Sequence, residues 1–377
     1  MKIYLVGGAV RDQLLNIPVE DNDYLVVGSS PQEMIDSGFI PIGKDFPVFL
    51  HPKTKEEYAL ARTEKKVGIG HKGFRFYASP EVTLEEDLER RDITINAIAV
   101  DENNKYIDPF NGINDLKNNI IRHVSSAFED DPLRVLRVAR FKAKLNSFSI
   151  HEETYNLMNK VVRSGEINNL SGERIMMELR KGFEQENAFD MLEALSKCGA
   201  IHHIFPKIEF EKNKDKIKNI LYLSHHFCKS SPNKRLLLFL LVANFSDNKI
   251  NAKIYDNIKN ILLPSIEKKL VRLIEKNISD LIRFSSMESR KQLDILYSFD
   301  FFRRPEILKE SFELIELIEN VNENNSSLIE LSRKLIGSYQ KLIRKNQSEI
   351  DKSLSGEQIK NAIYDQRLLM LKKLNKS

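Results

Sequence analysis

The chain contains little cysteine, and this scarcity limits the kinds of site that it can build. Of its 377 residues only two are cysteines, Cys198 and Cys228. Two thiols cannot form the disulfide framework of a small secreted domain or a four-ligand zinc site. Because disulfide frameworks belong to oxidising compartments, their absence favours a reducing one, and we expect a cytoplasmic location.

Long apolar runs are also missing, although hydrophobic residues make up 41% of the chain. No run approaches the roughly 20 residues that a membrane-spanning helix needs, and we expect no membrane partner. The first residues, MKIYLVGG, lead directly into glycines and charges, which is not the pattern of a secretory signal. The net charge is only +4, and so small an excess does not by itself indicate a nucleic-acid partner.

Glycine is scarce in the second half of the chain. Nine of the 15 glycines precede residue 113, and only Gly337 and Gly356 follow residue 200. This distribution predicts a turn-rich, mixed α/β front and a helical rear. A chain of this length predicts two or three domains.

The first 27 residues contain the most informative pattern. Residues 2–6 are apolar and predict a strand, and the helical spacing of apolar residues in 9–15 predicts a helix. Gly7 and Gly8 lie between them. This arrangement lets backbone N–H groups approach a phosphate closely. Arg11 adds a guanidinium that can bind two phosphate oxygens at once.

Two carboxylates follow, Asp21 and Asp23, and lead into a predicted strand at residues 24–27. Side chains two apart on a strand point the same way. Such a pair can hold two Mg²⁺ ions, whose other ligands are triphosphate oxygens and waters. A glycine pair or an Asp-x-Asp alone is more typical of a tight or solvated turn. Together, in this order, they indicate a nucleotidyltransferase, which transfers a nucleoside monophosphate and releases pyrophosphate.

Three features after this unit allow two interpretations each. Glu57 is a third carboxylate near the metals or an exposed strand residue. Residues 62–80 hold three glycines and five Lys or Arg, and predict a mobile basic loop that either serves the active site or has no role. Arg91 forms a surface ion pair or reaches the triphosphate or sugar.

A second informative stretch begins at Asp131 and Pro132, which form a good helix N-cap and first helical position. Arg134, Arg137 and Arg140 recur every third residue and form a stripe that drifts slowly around the predicted helix. Such a stripe is often a solvated basic face. Three arginines without a lysine favour planar, forked contacts instead.

These motifs resemble those of the bacterial CCA-adding enzymes, the class II tRNA nucleotidyltransferases of the polymerase-β-like superfamily. The matching segments are the glycine pair with Arg11, Asp21-x-Asp23, DLERRDITINAIA, DPFNG and DPLRVLRVARF. The resemblance covers residues 1–145 almost continuously and continues more weakly through residues 170–208. The order of the segments resembles the enterobacterial branch of the family.

The resemblance implies an α+β fold: a polymerase-β-like nucleotidyltransferase head followed by an all-α neck, body and tail. The implied domains are the catalytic head at residues 1–122, a helical neck with base recognition at 123–208, and a tRNA-binding helical body and tail at 209–377. The implied reaction adds C, C and A to the 3′ end of tRNA, from CTP and ATP, without a nucleic-acid template. The sequence leaves the oligomeric state open.

The family also implies roles for individual residues. Asp21 and Asp23 would bind Mg²⁺, and Asp131 and Arg134 would read the base. The residues implied to bind the incoming ATP or CTP elsewhere are Gly8, Arg11, Arg91, Arg137 and Arg140. Cytosine and adenine both present an amino donor beside a ring-nitrogen acceptor, whereas guanine and uracil present a carbonyl beside an N–H. A carboxylate beside a guanidinium therefore matches C and A alone.

The sequence departs from the family pattern in two places. Asp130 stands where the family usually has glutamate before the Asp131 position, and we expect little loss from this. Many relatives of this branch carry a His-Asp phosphohydrolase domain after the neck, but here Ala243 and Asn244 stand where His-Asp is expected. The nearby histidines, His202, His203, His225 and His226, lack the carboxylates and spacing of a metal site. We therefore expect no phosphohydrolase activity.

Two other functions are compatible with parts of this pattern. A poly(A) polymerase, or an enzyme that adds only A or only CC, belongs to the same superfamily, but poly(A) polymerases tend to have a long, strongly basic tail. A non-catalytic RNA-binding protein on a decayed scaffold is the more distant alternative. The intact Asp21-x-Asp23 argues against it.

Overall fold

The computed structural model describes residues 1–42, 48–66, 74–226, 231–246, 249–250, 261–321, 327–345 and 356–376. Contacts divide the chain into two compact units, Met1–Pro206 and Lys207–Ser377. The first is mixed and the second is mainly helical, as the glycine distribution predicts. The division lies close to the predicted boundary at residue 208, and the three-domain organisation with a separate head and neck stays a prediction.

A mixed seven-stranded sheet forms the front of the first unit, in the order β3-β4-β5-β2-β1-β8-β9. Strand β2 pairs antiparallel with β1 and parallel with β5. Short pairs form outside this sheet between β6 and β7 and between β10 and β11. The strands are β1 (Lys2–Val6), β2 (Asp23–Val27), β3 (Ile40–Ile42), β4 (Val48–Leu50), β5 (Glu57–Leu60), β6 (Arg62–Lys66), β7 (Phe74–Ala78), β8 (Ala99–Val100), β9 (Tyr106–Ile107), β10 (Ile120–Ile121) and β11 (Ser149–Ile150).

The predicted mobile loop at residues 62–80 is wrong where the structure describes it. Strands β6 and β7 pair antiparallel, with Arg62 opposite Ala78 and Lys66 opposite Phe74. The sequence signal was the aromatic run FRFYA, since Phe and Tyr favour strands. The glycines and lysines of this segment favour a loop and led to the wrong prediction. The middle of the predicted loop, residues 67–73, lies outside the described residues.

Two helices of the first unit, α2 and α3, begin where the capping pattern places them. Ser30 caps α2 and Thr83 caps α3, each in a capping box that also uses the glutamate three residues later. The helices are α1 (Gly8–Leu14), α2 (Pro31–Asp36), α3 (Leu84–Glu89), α4 (Gly112–Lys117), α5 (Leu133–Lys144), α6 (Glu152–Arg163), α7 (Gly172–Glu184), α8 (Ala188–Lys197) and α9 (Ile201–Ile204).

Each face of the sheet carries its own apolar cluster. Leu25 packs in one cluster with Val6 and Leu88, whereas Val26 packs in the other with Met34. Successive side chains on a strand point to opposite faces. Asp23, two residues before Leu25, therefore starts β2 on the face that carries α3.

Helix α5 forms the centre of the helical part of this unit and packs against α7 and α8. Most of its residues are buried, including Val135, Val138 and Ala139 with no exposed surface. The arginines interrupt this apolar surface: Arg134 is buried, whereas Arg137 and Arg140 are partly exposed. The arginines on α5 therefore do not form a fully solvated face.

The second unit is built mainly from helices. Its described helices are Lys214–His226, Pro232–Ala243, Ser265–Ile282, Ser289–Ser298, Pro305–Val321, Ser327–Lys345 and Gly356–Leu374, with a short strand pair at Phe245–Ser246 and Lys249–Ile250. Residues Arg235 to Ala243 are all buried. None of the helices in the described parts of the chain is long and apolar enough to cross a membrane.

The segment in which a His-Asp pair is expected has a structural role here. Asn244 is buried, and its Nδ2 donates to the carbonyl oxygen of Leu240 at 2.8 Å. The carbonyl of Ala243 accepts from Asn213 Nδ2 at 2.9 Å. Within the described ranges, no group of three or more His, Cys, Asp or Glu side chains is arranged to hold a metal ion. Cys198 is buried as a free thiol, and Cys228 lies outside the described residues.

Candidate active site

A pocket of about 630 Å³ opens in the first unit beside α1, β2, α5 and α7. Its wall is strongly charged, with eight cations against six carboxylates. The cations are Arg11, Arg62, Arg90, Arg91, Arg134, Arg137, Arg174 and Lys181, and the carboxylates are Asp12, Glu20, Asp21, Asp23, Asp92 and Asp131. An excess of cations, together with an acidic cluster, suits a polyanionic ligand that carries metal ions.

The pocket brings together eight of the nine predicted site residues. They are Gly8, Arg11, Asp21, Asp23, Arg91, Asp131, Arg134 and Arg137. Arg140 is not among the described residues that line the pocket. Its Nε lies 2.5 Å from Glu178 Oε2, and its guanidinium lies 4.2 Å from the centre of the Phe141 ring.

The two candidate metal carboxylates lie on the exposed side of the pocket. Asp23 is the first residue of β2, and Asp21 lies just before that strand. Burial of its carboxyl group raises the pKa of Asp23; the charge of Arg91 opposes this shift and that of Asp21 adds to it. Glu57 lies on β5, opposite Asp23 of β2. It is not among the described residues that line the pocket.

The turn at Gly7 requires glycine for two reasons. Its φ of +75° lies in the left-handed region, which residues with a Cβ rarely adopt. A Cβ at this position would also lie 2.9 Å from Arg91 Nη1. The sequence pattern therefore places a bare backbone, the start of α1 and an arginine within contact distance of each other.

Arg11 is held from several sides at the pocket wall and is only 3% exposed. Its Nε donates to Asp12 Oδ1 at 2.8 Å, and its Nη1 donates to Asn96 Oδ1 at 2.6 Å. Its guanidinium lies 5.3 Å from the centre of the Phe141 ring. Asp12 and Asn96 are site residues that sequence reasoning missed, although Asn96 lies within the quoted DLERRDITINAIA segment.

Arg91 forms an ion pair and also lines the pocket, and its contact with a triphosphate or sugar stays a prediction. Its Nη2 lies 3.3 Å from Asp87 Oδ2, and its guanidinium lines the pocket. Burial would raise the pKa of Asp87, but Arg90 and Arg91 lower it overall. The Nε of Arg91 is buried without a hydrogen-bond partner in the described part of the chain. A buried unsatisfied donor is costly, so this position is suited to an added acceptor.

Asp92, a buried carboxylate of the pocket wall, forms an ion pair with Arg137. Arg137 Nε and Nη2 lie 2.7 and 2.6 Å from Asp92 Oδ2, while Asn96 Nδ2 donates to the other oxygen at 3.1 Å. Burial alone would raise the pKa of Asp92. The Arg137 charge and the Asn96 and Arg137 hydrogen bonds outweigh it and lower the pKa to about 2.

This pair predicts a specific dependence of stability on pH. Because the folded-state pKa of Asp92 is depressed, its contribution is complete above the unfolded pKa and is lost as pH falls from about 4 to 2. The shift corresponds to about 2 kcal/mol. Urea unfolding of the parent and Asp92→Asn should differ at pH 7, and the difference should shrink over that range. The exposed Asp36→Asn is the control, and a pH-independent difference would contradict the assignment.

The start of α5 differs by one residue from the predicted cap. The helix begins at Leu133 with Pro132 at the N-cap position, and Asp131 Oδ1 accepts the Leu133 N–H at 3.1 Å. Asp131 thus caps the helix from one position further out, within the usual ambiguity of helix ends. Its other oxygen lies 2.7 Å from Arg174 Nη2.

Arg134 lies at the junction of the head and α5 and is only 8% exposed. Its Nη1 donates to the carbonyl of Ala127 and its Nη2 to that of Arg90, each at 2.5 Å. Asp131 and Arg134, the two residues predicted to read the base, line the same pocket. In this structure Arg134 binds backbone carbonyls.

Helix α7 supplies residues that sequence reasoning did not assign. Arg174 contacts Asp131, Glu178 contacts Arg140, and Lys181 lines the pocket. The three are spaced at i, i+4 and i+7, so they share one face of the helix. Their shared helix face was the signal that could have found them, although α7 carries other charged residues as well.

Comparison with known proteins gives the same picture along the whole chain. Residues 3–122 match the family described as "Poly A polymerase head domain", and residues 147–211 match "Probable RNA and SrmB- binding site of polymerase A". A solved CCA-adding enzyme in complex with ATP aligns with a TM-score of 0.66 at 25% identity, over 99% of this chain and 86% of that one. The Thermotoga maritima CCA-adding enzyme complexed with tRNA aligns with a TM-score of 0.64 at 25% identity, over 100% and 88%.

A curated relative extends the similarity to the level of sequence. The CCA-adding enzyme of Coxiella burnetii is 41% identical over 375 residues, which cover 99% of this chain and 96% of that protein. The predicted fold, a polymerase-β-like head followed by a helical body, is confirmed by these matches. The chain therefore belongs to the family of CCA-adding enzymes.

Proposed function

We propose that this chain adds C, C and A to the 3′ end of tRNA, using CTP and ATP and releasing pyrophosphate. The observation that carries the proposal is the pocket in which Asp21 and Asp23 face eight cations beside the Gly7 turn. That chemistry suits a nucleoside triphosphate with its metal ions. The 41% identity to a CCA-adding enzyme over nearly the full length supports tRNA as the acceptor.

Enzymes of this superfamily use divalent metal ions, and we propose Mg²⁺ held by Asp21 and Asp23. The exposed pair offers hard oxygen ligands, and a cation there would offset the burial and mutual repulsion that raise the pKa of Asp23. When bound, Mg²⁺ supplies activation of the attacking hydroxyl and neutralisation of the leaving pyrophosphate. Asp21 and Asp23 would hold this metal at the exposed side of the pocket.

The remaining pocket residues divide between the two ends of the nucleotide. The N–H groups after Gly7, together with Arg11 and Arg91, bind the phosphates, because they form a cationic wall beside the metal carboxylates. Arg91 Nε, a buried donor without a partner in the described residues, gains an acceptor. Arg137 contacts the nucleotide from its ion pair with Asp92, and Arg140 supports this wall through Glu178.

The base end of the nucleotide meets Asp131 and Arg134. A carboxylate accepts the amino group that C and A share, and a guanidinium donates to their ring nitrogen. Since Arg134 holds the carbonyls of Ala127 and Arg90, reading a base requires that its guanidinium exchange one carbonyl for the base. Selection of the base then depends on two side chains of the protein, with no template strand.

One incubation tests the reaction and its rivals. Transfer RNA lacking its last three nucleotides is supplied with CTP, with ATP, and with both, and the products are resolved by length. Two additions with CTP and three with both are expected. A long ladder with ATP alone would indicate a poly(A) polymerase, incomplete addition a partial enzyme, and no addition with Mg²⁺ a non-catalytic RNA-binding protein.

We expect no phosphohydrolase activity. Ala243 and Asn244 provide neither a ligand nor a base where a His-Asp pair would stand, and Asn244 is occupied with the helix carbonyl of Leu240. Incubation with 2′,3′-cyclic nucleotides and Mg²⁺, Mn²⁺ or Ni²⁺ should release no phosphate and open no ring. Metal-dependent hydrolysis that survives Asp21→Ala would reveal a second site.

A further inference from the structure

A lysine outside the proposed machinery connects α5 with the head. Lys144, the last residue of α5, places its Nζ 3.0 Å from Asp12 Oδ2 on α1. The Asp12 side chain is only 9% exposed. Its other oxygen lies 2.8 Å from both Nε and Nη2 of Arg11. One buried carboxylate therefore joins a cation of α5 to a cation of the pocket wall.

The pairing of Arg11 with Asp12 needs outside support. Adjacent residues on a helix do not face each other, so the Arg11 guanidinium folds back to reach its neighbour. Asn96 Oδ1 holds it on one side at 2.6 Å, and the Phe141 ring lies beneath it at 5.3 Å. Lys144 holds the carboxylate from the opposite side. Without Lys144, Arg11 is the only cation within ion-pair distance of the buried Asp12 carboxylate among the described residues.

Besides the Lys144–Asp12 pair, a second ion pair attaches α5 to the head. Arg137 lies seven residues earlier, two turns along the same face, and pairs with Asp92. Phe141 lies between the two on that face. Asn96 contacts both Arg11 and Asp92, so the two attachments meet inside the head. Two ion pairs, two helical turns apart, thus hold this face of α5 against the head.

We propose that Lys144 is a positioning residue for the incoming nucleotide. Through Asp12 it holds Arg11 at the phosphate end of the pocket. The inference rests on the proposed function, in which Arg11 binds phosphates. Because phosphates are common to CTP and ATP, Lys144 should affect the binding of both nucleotides equally and leave base choice unchanged.

The test is Lys144→Met, which removes the charge and keeps the length of the side chain. Loss of a charged hydrogen bond to a buried carboxylate should raise the KM for CTP and for ATP about tenfold, with kcat within about twofold of the parent. Lys144→Arg should restore KM, since it returns a cation to Asp12. If Lys144→Met does not fold, Lys144→Gln, which also removes the charge, takes its place in this test.

Lys142→Met is the matched control. Lys142 lies on the same helix and pairs with Asp190 at 2.9 Å, with side chains 20% and 26% exposed. It should leave both KM values unchanged, with a similar change in melting temperature. Adding Asp12→Asn to Lys144→Met should raise KM no further than the worse single variant, because the two act through one contact.

Several results would overturn the inference. They are an unchanged KM in Lys144→Met, a loss of kcat alone, an equal effect of Lys142→Met, or failure of Lys144→Arg to restore KM. The parent enzyme separates these from failure of the proposed function. If the parent incorporates CMP and AMP while the variants behave in one of these ways, only the role of Lys144 is wrong. If the parent incorporates neither, the proposed function is wrong.

Discussion

Replacement of Asp21 or Asp23 by alanine should abolish incorporation of both CMP and AMP. Both carboxylates line the exposed side of the pocket, and they are the residues that we propose to hold Mg²⁺. A metal ion that polarises the reacting phosphate contributes several kcal/mol to transition-state stabilisation, so each substitution should lower kcat by about a thousandfold or more. Binding of tRNA should stay nearly intact, because that loss concerns the reacting atoms.

Single-turnover incorporation on tRNA lacking CCA measures the effect, and gel-shift titration measures tRNA affinity. Glu57→Gln is the matched control, because Glu57 pairs in register with Asp23 on the neighbouring strand but is not among the described residues that line the pocket. It should keep most of the parent activity. More than a tenth of parental turnover in either alanine variant would contradict the metal assignment, and a large loss in Glu57→Gln would make Glu57 a third metal ligand.

The local part of this site could be predicted from sequence because short-range geometry determines it. A glycine with positive φ, a helix start and an Asp-x-Asp before a strand each depend on a few neighbouring residues. Eight of the nine predicted residues line one pocket, but they come from segments far apart in the chain, and the resemblance to the family, not local geometry, implied that they meet. The same local reasoning failed at residues 62–66 and 74–78, which form paired strands instead of a loop, the second of them rich in strand-forming aromatics.

The partners of the arginines could not be predicted, because they depend on contacts that are distant in sequence. The Arg-only stripe predicted planar, forked contacts. Arg137 does make such a contact, but with Asp92, 45 residues away. Arg140 contacts Glu178, 38 residues away, and is not among the described residues that line the pocket. Residue type fixed the kind of contact, and only the packing of α5 against the head and α7 selected the partner.

Asp131→Ala should weaken the choice of CTP and ATP over UTP and GTP. Asp131 lies just before α5, and both Asp131 and Arg134 line the pocket, where we propose that they meet one base edge. A polar group left facing the wrong base edge costs about 1–3 kcal/mol, which is roughly 5- to 150-fold in selectivity. The overall rate should fall less than in Asp21→Ala, because the reacting phosphate keeps its ligands.

A structural role for Asp131 predicts a different result. Asp131 accepts the Leu133 N–H and pairs with Arg174, and loss of a helix cap costs about 1 kcal/mol of stability. Ser30→Ala, which removes the cap of α2 outside the pocket, is the matched control and should melt earlier with unchanged base choice. Thermal melting and single-nucleotide incorporation on both variants separate the two roles. If Asp131→Ala melts early but rejects UTP and GTP as well as the parent does, Asp131 is a cap, and the base is read elsewhere in the pocket.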